Sequence, residues 1–525
     1  MTMQEETLKN CPEKIFLCGQ RDKNYVAEKG LYRLDGDKDV LLDSCEDIVF
    51  DGNGSDFVFE GKKHGFLVRN CKNILLKNFS VDYADCLQIC GRIADSGEDF
   101  AEIIPETPWR AEGLQDVCEY LEFYPDRPTP YERGNFLYNC GKIRSILSVK
   151  EHGENIRITF SEKIKRPKIG NRAALCLTMY GHNALRFENC KGVRVENVVV
   201  YTAPGMALYA ENSEDLAFDG YHLQLKPDSG RLMTATADGM HFKNCRGDLL
   251  VRNCLLENSH DDAFNSAGMY MEVVEKREDV LFVRSPLGMW ATYSPQVGDE
   301  LEICSKADLK VKGRAKVLRV QVLPDSVLLE TDRPNEISLH DLLGNKTGTP
   351  RILFENNVVR NKRNRGILLQ SRDCIIRNNV FDTVLHGAVS VLVEVNHFYE
   401  SIAPANIKIE DNRFKNCNME GEADVAAVAY LPGFALGEAG IIRNIEIVGN
   451  EMSGSYQSAV CLSSVRGARI CNNHISGCCK RPKRQKYRAA VSLENCAEVE
   501  IFGNRFENRK DIPEIQIKNC FDIKC

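Results

Sequence analysis

The chain has 525 residues, 43% of them apolar and 27% charged, a balance that suits a large folded protein and excludes general disorder. Its formal net charge of −7 argues against a protein that grips polyanions along its length. No run of about eighteen apolar residues suggests a membrane span.

The N-terminal stretch "MTMQEETLKNCPEKIFLCGQ" is acidic and polar, without the basic start and apolar core of a signal peptide, so a cytoplasmic location is expected. The 22 cysteines then read as reduced thiols. Neither the recurring Asn-Cys pairs nor Cys478–Cys479 has zinc-site spacing, and no metal is expected. The one basic run, "KRPKRQK" at 480–486, reads as a solvated loop, so no nucleic-acid partner is expected.

Self-similarity dominates the rest. A unit of alternating apolar residues, Asn-Cys, a second alternating run and a closing Asn appears at 66–81 ("FLVRNCKNILLKNFSV") and 185–200 ("LRFENCKGVRVENVVV"). It recurs at 240–258 ("MHFKNCRGDLLVRNCLLEN") and, in looser copies, at 367–381, 407–417, 445–455, 491–508 and 515–525. Alternation predicts short strands with one buried face. Asn and Gly at the joints suit left-handed turns. Strands and turns of this length make coils of about 20–25 residues, and stacked coils make a parallel β-helix, an all-β solenoid. The Asn and Cys residues then have structural roles, Asn bonding turn backbones and Cys filling the interior.

Two stretches break the rhythm. Residues 86–170 are rich in Pro, acids and aromatics, and 271–350 read as antiparallel strands with turns. The expected organisation is therefore N-terminal coils over 1–85, an inserted β-rich subdomain over 86–170 and central coils over 171–270. A small inserted antiparallel domain over 271–350 and C-terminal coils over 351–525 complete it. Walls raised on a solenoid create the pocket that a bare one lacks.

One repeat carries an anomaly. Ten residues after the Asn of three repeats (Asn197, Asn253, Asn378) stands an Ala: Ala207, Ala263, Ala388. The two preceding places hold Gly205–Met206 and His386–Gly387 in two repeats, but Asp261–Asp262 in the middle one. A lone Asp pair reads as a solvated turn. Here Asp238 lies about one coil earlier, so a third carboxylate is expected to stack beside the pair. Adjacent strand residues face opposite sides, so both Asp residues reach one pocket only at a bend, which Asn258, Ser259 and His260 make plausible. Clustered carboxylates repel, raising at least one pKa, which supplies the acid and base of glycoside hydrolysis. Calcium also favours clustered oxygens, but its alternating Asp-x-Asp loop is missing.

These residues resemble glycoside hydrolase family 110, exo-acting α-1,3-galactosidases acting on blood-group-B-type and related glycans. The resemblance rests on "SGRLMTATADGMHFKNCRG", "NCLLENSHDDAFNSAGMYM", "FENCKGVRVENVVVYTAPGMALYAENS", "NKRNRGILLQS" and "VLVEVNHFYES", in order between about residues 45 and 410. It implies a right-handed parallel β-helix with two inserted β domains, inverting hydrolysis, a galactose-terminated glycan as partner and no cofactor. It implies Asp238, Asp261 and Asp262 as the catalytic group. A second resemblance, to polygalacturonases, gives the acid role to Asp261 and water activation to Asp238 and Asp262, with acid and base expected about 6.5–9.5 Å apart. Arg363 and Arg365 are matched as donors to galactose hydroxyls, and Glu394 and Glu400 as acceptors. Phe398 or Tyr399 is matched as the stacking aromatic, and His241 and Asn265 flank the carboxylates. "VDYADC" replaces the family's Asp-Trp after "NFS", which leaves linkage and neighbouring sugar open.

Two other readings stand beside this one. One is another β-helical carbohydrate enzyme, a polygalacturonase-like hydrolase or a lyase; the Gly-His-Gly and Arg-x-Lys signatures of the polygalacturonase are missing after the Asp pair. A non-catalytic glycan-binding solenoid would not need three carboxylates in register. Exposed strand edges at the solenoid's end make a homo-oligomer a further expectation.

Overall fold

A computed structural model describes residues 4–8, 15–35, 40–84, 87–140, 142–285, 294–400, 402–480 and 488–525. The basic run beyond Lys480 (481–486) and part of the second insert (286–293) lie outside the described residues. The fold is an all-β parallel β-helix. A representative coil consists of the strands Arg372–Arg377, Val380–Val384 and Val389–Glu394. Each pairs in parallel with its counterpart one coil on: Ala405–Glu410, Arg413–Lys415 and Ala423–Leu431.

The alternation read from the sequence becomes an interior of stacked side chains. Phe242, Phe264 and Phe354 follow one another with ring centroids 5.4 and 5.3 Å apart, and Phe381 lies flat on Phe414 at 5.0 Å. Each such buried ring contributes roughly 1.5–3 kcal/mol. The turn asparagines divide into two kinds. Asn356, Asn378 and Asn472 take φ between 55° and 57°, the left-handed bend that Asn tolerates. Their neighbours Asn357, Asn379, Asn412, Asn450, Asn473 and Asn504 form a ladder, each backbone N–H donating to the next side-chain oxygen at 2.9–3.0 Å. That ladder satisfies backbone groups which a tight buried turn would otherwise strand. The cysteines of the described residues are free thiols, mostly buried.

Two excursions leave the solenoid. Between Gln88 and Cys176 the chain builds an eight-stranded antiparallel sheet. One face has its own core around Ile89, Tyr120 and Ile158, while Leu121, Phe123 and Cys176 pack on Leu232 and Met233 of the solenoid. Between Tyr270 and Asn345 six strands close into a barrel around Val273, Leu301 and Leu329. The first rejoins the coils at Tyr180, which bonds Asp261, and the second begins at Tyr270, soon after Asp262.

Candidate functional site

One sheet of the solenoid positions the site. Its strands Leu208–Glu211, Met240–Lys243, Phe264–Ala267 and Ile367–Gln370 stack in parallel, one per coil. The segments entering these strands hold the polar residues. Gly239 N–H donates to Asp262 O at 2.8 Å and Ala263 N–H to Arg365 O at 3.0 Å, so Asp238, Asp262 and Arg365 occupy equivalent places on successive coils. Glycines beside this column permit the close stacking. A Cβ on Gly239 would lie 2.6 Å from the Ala263 carbonyl oxygen, and one on Gly366 2.4 Å from that of Ala388.

The chain from Asn258 to Asp262 is irregular, and Asn258 is left-handed. Buried Lys362 holds this bend, its ammonium donating to the carbonyls of Ser259 and Asp261, each at 2.6 Å, and to the Ser259 hydroxyl. The adjacent Asp261 and Asp262 thereby turn to one side. The structure brings Asp238, Asp261 and Asp262 together, with one oxygen of each within 4.8 Å of the others. This is the nearest approach of single oxygens, whereas the carboxyl groups of an inverting pair stand about 6.5–9.5 Å apart.

The three carboxyls have different surroundings. Asp238, 3% exposed, accepts the Asp262 N–H at 3.0 Å and contacts His241 Nδ1. Burial, then the charge of Asp261, pushes its pKa well up. Asp262, 2% exposed, accepts the Arg365 N–H at 3.2 Å and its guanidinium at 3.3 Å. Burial still pushes it up to about 8, against Arg365 and with help from Asp261 and Asp238. Asp261 is the more open member. Burial works to raise it as well, but donors from Tyr180 and Asn364 and the charges of His260 and Arg365 outweigh that and hold it low. The surroundings thus favour the protonated form of Asp238 and Asp262 and the ionised form of Asp261. The roles carried over from polygalacturonases put the proton on Asp261 instead.

Outward-facing Tyr209, His241, Asn265 and Leu368 are register neighbours beside the carboxyls. His241 Nε2 and Asn265 Oδ1 are buried without a hydrogen-bond partner among the described residues, which leaves both for a ligand. Burial and the Lys243 charge press His241 down to about 3, so its ring is neutral. Both inserts contact the coils near the carboxyls. The first reaches over through Thr129, bonded to Asn361 at 2.9 Å, and through Phe136, whose ring carries the Arg363 guanidinium at 3.4 Å. The barrel enters through Tyr270, whose N–H donates to Tyr399 O at 2.7 Å.

The remaining expected sugar contacts divide. Arg365 touches Asp262 directly, while Arg363 stacks on Phe136. Glu400 pairs with buried Lys243. Two expectations need correction. Glu394 does not offer its oxygens to a sugar, because they accept the backbone N–H groups of Asn396, His397, Phe398 and Tyr399 at 2.6–3.2 Å. Tyr399 is not an open stacking platform, because its ring is buried in the solenoid core. Phe398, on the loop that Glu394 organises, is 47% exposed and free to stack.

Tyr180, Lys362 and Asn364 escaped the sequence reading. Lys362 and Asn364 had a signal. Carrying the Asp261–Asp262 register one coil on reaches Asn364–Arg365, but the intervening barrel stretches that step to 103 positions. Tyr180 had none, since it sits outside any repeat. Its φ of +57°, costly for a bulky residue, marks it in the structure.

Fold and site together define a class: a parallel β-helix carrying a cluster of converging carboxyl groups beside an inserted sheet. No family model matches the chain. Within that class, its similarity to curated proteins bears out the resemblance read from the sequence. It is 27% identical over 498 residues to alpha-1,3-galactosidase B of Parabacteroides distasonis, covering 88% of this chain and 79% of that one. It is 24% identical over 540 residues to alpha-1,3-galactosidase A of Shewanella woodyi, covering 93% and 82%. Among solved structures, the exopolygalacturonase of Thermotoga maritima aligns over 92% of this chain and 84% of its own, at 11% identity and a TM-score of 0.38.

Proposed function

We propose that this protein is an exo-acting glycoside hydrolase that removes terminal α-linked galactose, first of all α-1,3-linked galactose, from oligosaccharides or glycans. The observation that carries the reading is the convergence of Asp238, Asp261 and Asp262 within 4.8 Å of one another. The names of the relatives supply the sugar and the linkage. His241 Nε2 and Asn265 Oδ1 meet galactose hydroxyls, and Phe398 covers an apolar sugar face.

Roles follow the charges, since environments that push two carboxyls apart define acid and base. Asp262, protonated up to about pH 8, gives its proton to the leaving glycosidic oxygen. Asp261, ionised, takes a proton from the attacking water, and Asp238 orients that water and fixes His241. This sequence inverts the anomeric carbon. The close approach of the carboxyls favours a second reading, in which Asp261 attacks that carbon itself and the configuration is retained.

Proton NMR of the first-formed sugar tests both. On α-1,3-galactobiose or an aryl α-galactoside, β-galactose appearing first supports inversion and α-galactose appearing first supports retention. Turnover of polygalacturonate alone would reject the galactosidase reading.

A further inference from the structure

The first insert does more than contact the coils. Glu119 opens the strand Glu119–Phe123, the central part of the inserted sheet, and its side chain is 1% exposed. Its Oε2 lies 2.8 Å from Nδ1 of His260, the residue immediately before Asp261 and itself 3% exposed. A buried carboxylate this close to an imidazole nitrogen, outside hydrogen-bond geometry, is favourable when the ring carries a positive charge. Neither His260 nitrogen has a hydrogen bond among the described residues, so the contact acts through charge rather than through an aligned bond. The His260 backbone is tied to the solenoid by its N–H to Ala235 O at 2.9 Å, and its ring packs against Phe136 at 4.8 Å.

We propose that Glu119 is a positioning residue, through which the inserted sheet holds His260 as an imidazolium behind Asp261 and so keeps Asp261 ionised. The proposal rests on the galactosidase reading only for the role of Asp261. The other groups around His260 are accounted for. Cys176 faces Glu119 across the sheet as its register partner, and the donor atoms of Glu119, Cys176 and His260 lie within 4.8 Å of one another. Arg363 stands beyond Phe136, and Tyr180 donates to Asp261 from the far side. None of these places a second carboxylate on His260. Losing the Glu119 charge leaves the buried ring only the neighbouring Asp261 carboxylate, already shared with Tyr180, Asn364 and Arg365, as counter-charge, and it gives up its proton.

The test pairs Glu119→Gln, which keeps shape and removes charge, with His260→Asn. Nitrogen-15 NMR of histidine-labelled protein needs no substrate, and His260→Asn assigns the ring. The wild type shows a charged His260 ring at pH 7.5, and Glu119→Gln shows a neutral one. On galactoside, the acid limb of kcat/KM moves up by about one pH unit in both variants, a roughly tenfold extra loss at low pH. A purely structural contact would lower melting temperature or kcat at all pH values alike. A neutral ring in the wild type, or an unmoved limb in both variants, overturns the proposal. So does one equivalent of bound zinc that Glu119→Gln releases, which would make the cluster a metal site. Absence of galactosidase turnover leaves the NMR result standing and strikes only the function.

Discussion

Replacing Asp262 with Asn should make the protein steadily more stable than wild type as the pH rises from 5 to 8. The Asp262 carboxyl titrates near 3.8 when unfolded and is pushed up to about 8 in the folded chain, by burial first and then by Asp261 and Asp238, against Arg365. Between those values the unfolded chain has lost the proton and the folded chain keeps it. The group's contribution to folding is thus complete below pH 3.8 and is lost as the pH climbs through 8. The loss is at most about 1.4 kcal/mol per pH unit. Coupling to Asp238 and Asp261 trims it to ~2–4 kcal/mol between pH 5 and 8. Asn does not titrate, so the stability gap between variant and wild type widens by that amount. Asp238 contributes the same sign in both proteins and largely drops out. For a chain this long, 1 kcal/mol moves the melting temperature about 1 °C. Thermal melts at each pH should show the variant gaining ~2–4 °C on wild type. Parallel curves for the two proteins would refute the assignment of the proton to Asp262.

Three further substitutions test the rest of the site. Lys362→Met strips the donors from two carbonyls and a hydroxyl at the buried bend. It should cost ~2–5 kcal/mol of stability, read by melting, and most of the activity as Asp261 and Asp262 separate. Tyr180→Phe removes a donor that holds Asp261 low, so the acid limb of kcat/KM should shift to higher pH while melting is unchanged; an unmoved limb would separate Tyr180 from Asp261. Glu394→Ala should free the 396–399 loop and lower stability by ~2–4 kcal/mol, with KM rising through Phe398. An unaltered melting temperature would return Glu394 to the list of sugar contacts.

The solenoid was legible because its physics is local. Alternating apolar residues and turn asparagines state strand, face and bend within each repeat, and stacking copies of one unit leaves little else to specify. The Asp cluster was legible for the same reason, as a departure from a regular frame. What surrounds the cluster was not. Lys362 and Asn364 are contiguous with the Asp pair only after the barrel is looped out, and Glu119, Phe136 and Tyr180 arrive from segments with no period to count. Glu394 and Tyr399 misled because a carboxylate and an aromatic ring beside a site look alike in sequence whether they face a ligand or their own backbone. Nor did spacing foretell which carboxyl holds the proton. That depends on Lys362, Arg365, Tyr180 and Asn364, which the fold assembles from distant places.

The central claim is that carboxyl groups from successive windings act on one galactose. Its most direct test is galactose release from α-1,3-galactobiose by wild type and Asp261→Asn, with melting followed in parallel. The account predicts turnover by the wild type and a loss of about a hundredfold or more in the variant at an unchanged melting temperature. An Asp261→Asn protein that cleaves the disaccharide at nearly the wild-type rate would contradict it.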